Sequence, residues 1–365
     1  MKDLKIKTKI KNKLQNFPRL FKVLKKTVKT VEVIFYSVRY TNLNYFLSYI
    51  SALLKTRKSF GKPILATIEP ANFCNLNCPI CETGCGELSR KPRAMSLNEY
   101  KTIIDQFDKN LIQIYLYFMG EPFLIKDIYK MIRYSADRGI YVSTCTNGET
   151  VDPEKLVKSG IADVQFQIGG MSQQTHEVYR KNGNLKKALD NLRKTVELKR
   201  KYREKINKEK YSIKVGVGFI IMKHNEHEQQ EFIDTMKNVG IDEYQVISPA
   251  VRNIPQAKVF FPKDRKYWLY DEKEYEMGKL AIKNPYDNYC EHIYSTVTIQ
   301  VNGDVVPCCR DPKGEHVLGN VFKENIYAIW NNKKYRELRR IVTSKKHHLP
   351  LCDLCSGYPI PDIKK

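Results

Sequence analysis

Residues 63–81 read PILATIEPANFCNLNCPIC. The first half holds a short apolar run, Ile64–Ile68, with the length and residue types of a strand. The second half places Cys74, Cys78 and Cys81 within eight residues, immediately after that strand. A loop of this length can wrap one cubane cluster, because thiolates are the ligands that iron–sulfur clusters require. Three ligands for four irons leave one iron open, as a catalytic metal needs and a structural one does not. Two other readings compete. Cys85 can complete a four-thiol zinc set with Cys74, Cys78 and Cys81, or the thiols are buried and unligated.

Outward from this stretch, short apolar runs alternate with helical patterns. Ser96–Asn110 starts with a capping box, Ser96 to Glu99, and continues as a helix. Leu111–Phe118 reads as a second strand, Lys126–Arg138 as a helix closed by Gly139, and Ile140–Thr144 as a third strand. Asp152-Pro153 caps a short helix ending at Gly160. Val164–Ile168, Ile213–Met222 and Tyr244–Ile247 supply three more strands, separated by helices over Leu185–Lys201 and Glu226–Asn238. This alternation predicts an α/β fold with a parallel sheet. Six units are too few for a closed eight-fold barrel, so the expected core is a partial (β/α)6 TIM-like barrel. Chemistry in such sheets gathers at the carboxyl ends of the strands. The thiol loop, Gly120-Glu121-Pro122 and Thr146-Asn147-Gly148 all follow expected strands directly.

Residues 250–289 show no clear periodicity and read as a connector. Beyond them, Thr296–Val301 and Asp304–Pro307 flank Asn302-Gly303, a strong hairpin signal. An amphipathic helix over about Asn325–Val342 and a Cys352/Cys355 loop complete a small C-terminal domain of hairpin plus helix. The expected division is therefore 1–60, a basic helical extension; 61–249, the core; 250–289, the connector; and 290–365, the second domain.

The 365 residues allow about two domains of roughly 150 residues each. No stretch approaches the roughly 18–20 uninterrupted apolar residues of a membrane-spanning helix, and no secretory signal pattern opens the chain. The expected setting is a reducing cytoplasm, where clustered cysteines point to metal or catalysis rather than disulfides. Net charge is +23, and residues 1–60 hold 15 Lys/Arg against only Asp3 and Glu32. Apolar residues fall between those charges at helical intervals: Leu20, Val23, Leu24, Val28 and Val31, then Phe46, Tyr49, Ile50 and Leu53. Such a stripe packs on the main domain or lies on an anionic membrane, here the inner membrane surface. Nucleic acid is disfavoured, since no DNA- or RNA-binding motif accompanies the charge.

In order and placement, Cys74-x3-Cys78-x2-Cys81 after the first strand and Gly-Glu-Pro after the second resemble the radical S-adenosylmethionine (SAM) enzymes. The resemblance spans about residues 63–247. It implies that Cys74, Cys78 and Cys81 hold a [4Fe–4S] cluster whose open iron is chelated by SAM. It further implies that Gly120, Glu121 and Pro122 meet the SAM amine, with Thr144 and Asn147 on the ribose and carboxylate side. Arg180, in Tyr179-Arg180-Lys181-Asn182-Gly183, resembles the Arg that pairs with the SAM carboxylate, a role suited to its bidentate geometry. One departure is Ile80, where the family often has an aromatic residue before the third cysteine.

Cys290-x12-Gly303-x4-Cys308, followed by Cys352-x2-Cys355, forms a second metal-site pattern. Four thiols suit a closed site, either [4Fe–4S] or zinc. The pattern resembles the SPASM/twitch extension of the same superfamily, which implies an auxiliary [4Fe–4S] cluster. No cysteine follows Cys355, so ligands for a second auxiliary cluster are lacking. Cys309 could replace Cys308, although the hairpin phase favours Cys308; Cys85 and Cys145 read as packed thiols. The resemblance implies reductive cleavage of SAM to a 5′-deoxyadenosyl radical, hydrogen-atom abstraction from an organic substrate, and an electron donor such as flavodoxin or ferredoxin. The main expectation is a radical SAM oxidoreductase dehydrogenating a polyol, sugar-type or lipid-linked alcohol. The alternatives are modification of a peptide or protein, and a non-catalytic zinc scaffold. No general base is identified.

Overall fold

The computed structural model describes residues 30, 31, 33–35, 42–107, 109–206, 213–283, 288–344, 349–355 and 357, with backbone alone for 203–206. Six strands follow in chain order: β1 (Leu65–Ile68), β2 (Gln113–Tyr115), β3 (Tyr141–Thr146), β4 (Asp163–Ile168), β5 (Lys214–Ile220) and β6 (Glu243–Ile247). Each pairs in parallel with its successor, as a partial barrel requires. The connecting helices start where the side chains dictate. Ser96 and Glu99 form the reciprocal capping box of Leu97–Asp105. Asp152 caps Pro153–Lys158 by accepting from the backbone of Glu154 and Lys155.

Strand periodicity sorts the side chains. Ile114, Val142, Val164, Val215 and Val217 are fully buried, and share one core with Tyr100, Met131, Leu192 and Phe232 of the surrounding helices. The alternate residues Tyr115, Tyr141, Cys145, Gln165 and Gln167 are only half-buried. They give the opposite face of the sheet a polar lining.

The sheet continues past the core. β7 (Thr296–Ile299) pairs in parallel with β1 on the side away from β2, and β8 (Asp304–Val306) and β9 (Gly319–Asn320) extend it antiparallel. The order is β6-β5-β4-β3-β2-β1-β7-β8-β9. A buried ion pair fastens the junction: Arg90 Nη1 and Nη2 donate to Glu69 at 2.6 and 2.7 Å, and Glu69 also accepts from the Val301 backbone N–H at 2.9 Å.

Two segments differ from the sequence reading. Residues 250–289 contain helices Ile254–Phe260 and Glu272–Glu276. Their side chains build a second apolar cluster, in which Phe260, Phe261 and Tyr270 pack with Leu76, Cys78 and Ile80 of the thiol loop. The segment is thus a cover rather than a spacer, and its core is aromatic rather than periodic. The single helix expected over about 325–342 is two, Ile326–Trp330 and Lys333–Ser344. Asn332 breaks it by accepting from the Tyr335 backbone N–H at 2.9 Å, as a helix cap does.

Within the basic extension, helix Leu43–Leu53 packs Tyr45 and Tyr49 against Ile64, Leu65 and Ile112, at the start of β1 and just ahead of β2. It therefore sits at the opposite end of the sheet from the thiol loop. Leu20, Val23, Leu24 and Val28 lie outside the described residues. No helix among the described residues is long and apolar enough to cross a membrane.

Candidate active site at the strand ends

The chain leaving β1 folds back on itself with very little room. A Cβ on Gly84 would stand 2.4 Å from the Cys78 backbone nitrogen, and one on Gly120 2.4 Å from the Ala71 carbonyl oxygen. Both glycines are required by close backbone approach. Glu121 N–H donates to the Phe73 carbonyl at 3.0 Å, joining the loop after β2 to the thiol loop. Cys74 Sγ accepts from Leu76 N–H at 3.4 Å and from Asn147 Nδ2 at 3.9 Å, and Cys78 Sγ from Arg180 Nη1 at 3.7 Å.

Burial pushes the Cys74 thiol up to about 11, and the charges of Cys78 and Cys81 push it the same way. Burial also raises Cys78, against the pull of Arg180. Three thiols within electrostatic reach of one another do not ionise unaided; a bound cationic centre is what deprotonates such ligands. That donor set fits an iron–sulfur cluster. No three His, Cys, Asp or Glu side chains among the described residues stand close enough to grip a single ion. Cys85 is exposed, with its Sγ turned to the Glu82 carbonyl at 3.9 Å.

Glu121 is buried, and its carboxylate faces inward. It accepts from Thr146 Oγ1 at 2.7 Å, Asn147 N–H at 2.8 Å and Phe123 N–H at 3.2 Å. Burial nevertheless outweighs these bonds and raises the carboxyl from 4.5 to about 7. The side chain thus clamps the end of β3 to the loop after β2, and the backbone of Gly120–Pro122 is the part facing the thiol loop. Thr144 is also buried, its hydroxyl donating to the Leu116 carbonyl at 2.9 Å. Asn147 Nδ2 donates to Asn75 Oδ1 at 2.8 Å, and Asn75 to Glu149 at 3.2 Å. Glu149 in turn accepts from the Asn184 backbone at 2.8 Å.

Arg180 ends helix Gln173–Tyr179. One arm of its guanidinium reaches Cys78, while its Nε is buried and makes no hydrogen bond. A buried donor without an acceptor is costly, and the carboxylate of a bound amino-acid-like ligand would satisfy it. Gly120, Glu121, Asn147 and Arg180 therefore touch the thiol loop, whereas Thr144 is buried and tied to Leu116.

Four contributors were not found from the sequence. Gly84 and Asn75 shape the loop from within, and Glu149 secures Asn75. Arg252, from the covering segment, donates to the Ile80 carbonyl and forms an ion pair with the buried Glu82. Glu149 adjoins the Asn-Gly turn and Gly84 the cysteine run, so both had a local signal. Arg252 had none, since only folding brings it to residues 80–82.

The second set of cysteines converges as well. Cys290, Cys308, Cys352 and Cys355 line one small cavity with Tyr289 and Leu338. Cys308 accepts from Arg310 N–H at 3.4 Å and Cys355 from Gly357 N–H at 3.3 Å. Burial raises the Cys308 thiol well above its ordinary range, with Cys309 first and then Cys290 and Cys355 adding to the shift. Cys309 does not line that cavity; it also lies near Tyr117, as does Cys145, whose thiol burial pushes up to about 12.

A family model for the radical SAM superfamily matches residues 68–239, and one for SPASM, an iron–sulfur cluster-binding domain, matches residues 290–356. The mycofactocin maturase of Mycolicibacterium smegmatis is 31% identical over 141 residues, 37% of this chain and 36% of the relative. The chain thus matches about a third of that protein. The tungsten-containing aldehyde ferredoxin oxidoreductase cofactor-modifying protein of Pyrococcus furiosus is 26% identical over 318 residues, 79% of this chain and 86% of the relative. Among solved structures, Streptococcus suis SuiB bound to precursor peptide SuiA superposes with a TM-score of 0.54 at 15% identity, covering 81% of this chain and 70% of that one. That likeness extends to the fold.

Proposed function

Since the chain belongs to the radical SAM superfamily and carries a C-terminal SPASM domain, we propose that it modifies a peptide or protein. Membership brings a [4Fe–4S] cluster and SAM to the barrel, and auxiliary iron–sulfur chemistry to the C-terminal domain. When bound, these groups supply one-electron cleavage of SAM and radical chemistry at a substrate carbon.

The protein's own residues bind and orient. Cys74, Cys78 and Cys81 hold the first cluster. The backbone of Gly120–Pro122 offers carbonyl acceptors to the SAM amine, with Glu121 fixing that loop's shape. Arg180 offers its unsatisfied Nε–H to the SAM carboxylate, and Asn147 closes the same side. Cys290, Cys308, Cys352 and Cys355 hold one auxiliary cluster. The covering segment, with Phe260, Phe261 and Tyr270 on the thiol loop, excludes water from the reaction. The interior face below, with Tyr115, Tyr117, Cys145 and Gln167, is where substrate would lie. A one-electron donor such as flavodoxin or ferredoxin completes the system.

The observation that carries the catalytic reading is the buried, unsatisfied Nε of Arg180 beside Cys78. The peptide reading is favoured by likeness to a maturase and to a peptide-bound fold; neither favours dehydrogenation of a polyol, sugar-type or lipid-linked alcohol. Anaerobically reconstituted protein should release 5′-deoxyadenosine from SAM and reductant. Release should rise with candidate peptides encoded beside the gene. A rise with polyols and none with peptides would return the assignment to an alcohol oxidoreductase.

A further inference from the structure

Eleven large apolar side chains are exposed among the described residues, and six of them fall between 31 and 60: Val31, Ile34, Phe35, Leu43, Leu54 and Phe60. One part of this surface is the turn after helix Leu43–Leu53. There Leu54, Lys55, Arg57, Lys58 and Phe60 are all exposed, so two apolar side chains flank three cations.

The display is built by the backbone. The Thr56 carbonyl accepts from Tyr294 OH at 2.6 Å, and the Arg57 carbonyl from Arg339 Nη1 at 3.5 Å. Asn331 brackets Ser59, accepting from its N–H at 2.9 Å and donating to its carbonyl at 3.1 Å. The C-terminal domain thus holds the main chain inward at 56, 57 and 59, and the five side chains are exposed around it. Ahead of them the sequence adds twelve more Lys/Arg in residues 1–54, against Asp3 and Glu32.

We propose that the turn 54–60 docks on an anionic lipid bilayer. Cations meet acidic headgroups, and Leu54 and Phe60 enter the interface between headgroups and acyl chains. Helix Leu43–Leu53 lies at the start of β1 and ahead of β2, so the bilayer faces the end of the sheet remote from the thiol loop. The active site opens away from the membrane, and substrate reaches it from the aqueous side. This inference is independent of the substrate class proposed above.

The test uses the full-length chain and sedimentation with vesicles at about 0.1 M salt, without SAM. Vesicles of phosphatidylglycerol mixed with phosphatidylcholine should bind it, and pure phosphatidylcholine should not. Leu54→Asp/Phe60→Asp and Lys55→Glu/Lys58→Glu should each weaken binding at least tenfold, with iron content and circular dichroism unchanged. Equal binding to both vesicle types would overturn the proposal. So would binding that neither double variant weakens, or tighter binding to duplex DNA or RNA than to the acidic vesicles.

Discussion

Arg180 has one arm on the Cys78 thiol and a buried Nε without an acceptor, and this predicts how it fails. Arg180→Ala should weaken SAM binding by about 1.5–3 kcal/mol, the range for a charge-assisted hydrogen bond. Iron content should be unchanged. Equilibrium dialysis under anaerobic conditions measures the first and iron analysis the second; Arg180→Lys should recover only part, lacking the fork. Glu121 makes a different prediction. Its folded carboxyl titrates at about 7 rather than 4.5, so the folded state binds a proton that the unfolded chain has already released. The stability this contributes is complete below pH 4.5 and is lost as pH rises through 7. The cofactor-free protein should accordingly lose thermal stability between pH 5 and 8, and Glu121→Gln should flatten that decline.

At the scale of elements, the thiol loop is shaped by backbone contacts rather than by its cysteines. Gly84→Ala and Gly120→Ala each place a methyl group against main chain, an overpacking that costs about 1–3 kcal/mol. Both variants should retain less iron after anaerobic gel filtration. Arg252 holds the Ile80 carbonyl and Glu82 together from the covering segment. Arg252→Met should broaden the electron paramagnetic resonance signal of the first cluster and leave the auxiliary signal unaltered. The capping box at Ser96 and the Asp152 cap were legible locally, because a cap depends on residues three or four apart. The break at Asn332 was not, since Asn occurs inside helices and between them, and the apolar stripe runs through both pieces.

For the whole molecule, the decisive element is the junction of β1 with β7. Glu69 is fully buried, and Arg90 neutralises it while also donating to the Pro312 carbonyl at 2.7 Å. Removing Arg90 strands a buried charge, a change that costs about 3–5 kcal/mol. Arg90→Ala should shift the urea midpoint downward by a corresponding amount and expose the auxiliary cavity to chelators. Cys308→Ala should leave the barrel intact and remove about four irons per chain, the content of one [4Fe–4S] cluster, as iron and sulfide analysis would show.

Residue order alone determined the alternation of strands and helices, the three-thiol loop after β1 and the pairing of Cys290 and Cys308 with a Cys-x2-Cys loop. Those features depend on neighbours in the chain, and local hydrogen bonding and hydrophobic period carry them. Only the tertiary structure decided that β7 would join β1, that residues 250–283 would pack over the thiol loop, and that Arg252, Arg90 and Arg339 would each serve a segment far away. A long side chain finds its partner only after burial has chosen which surfaces meet, and no spacing in the sequence records that choice.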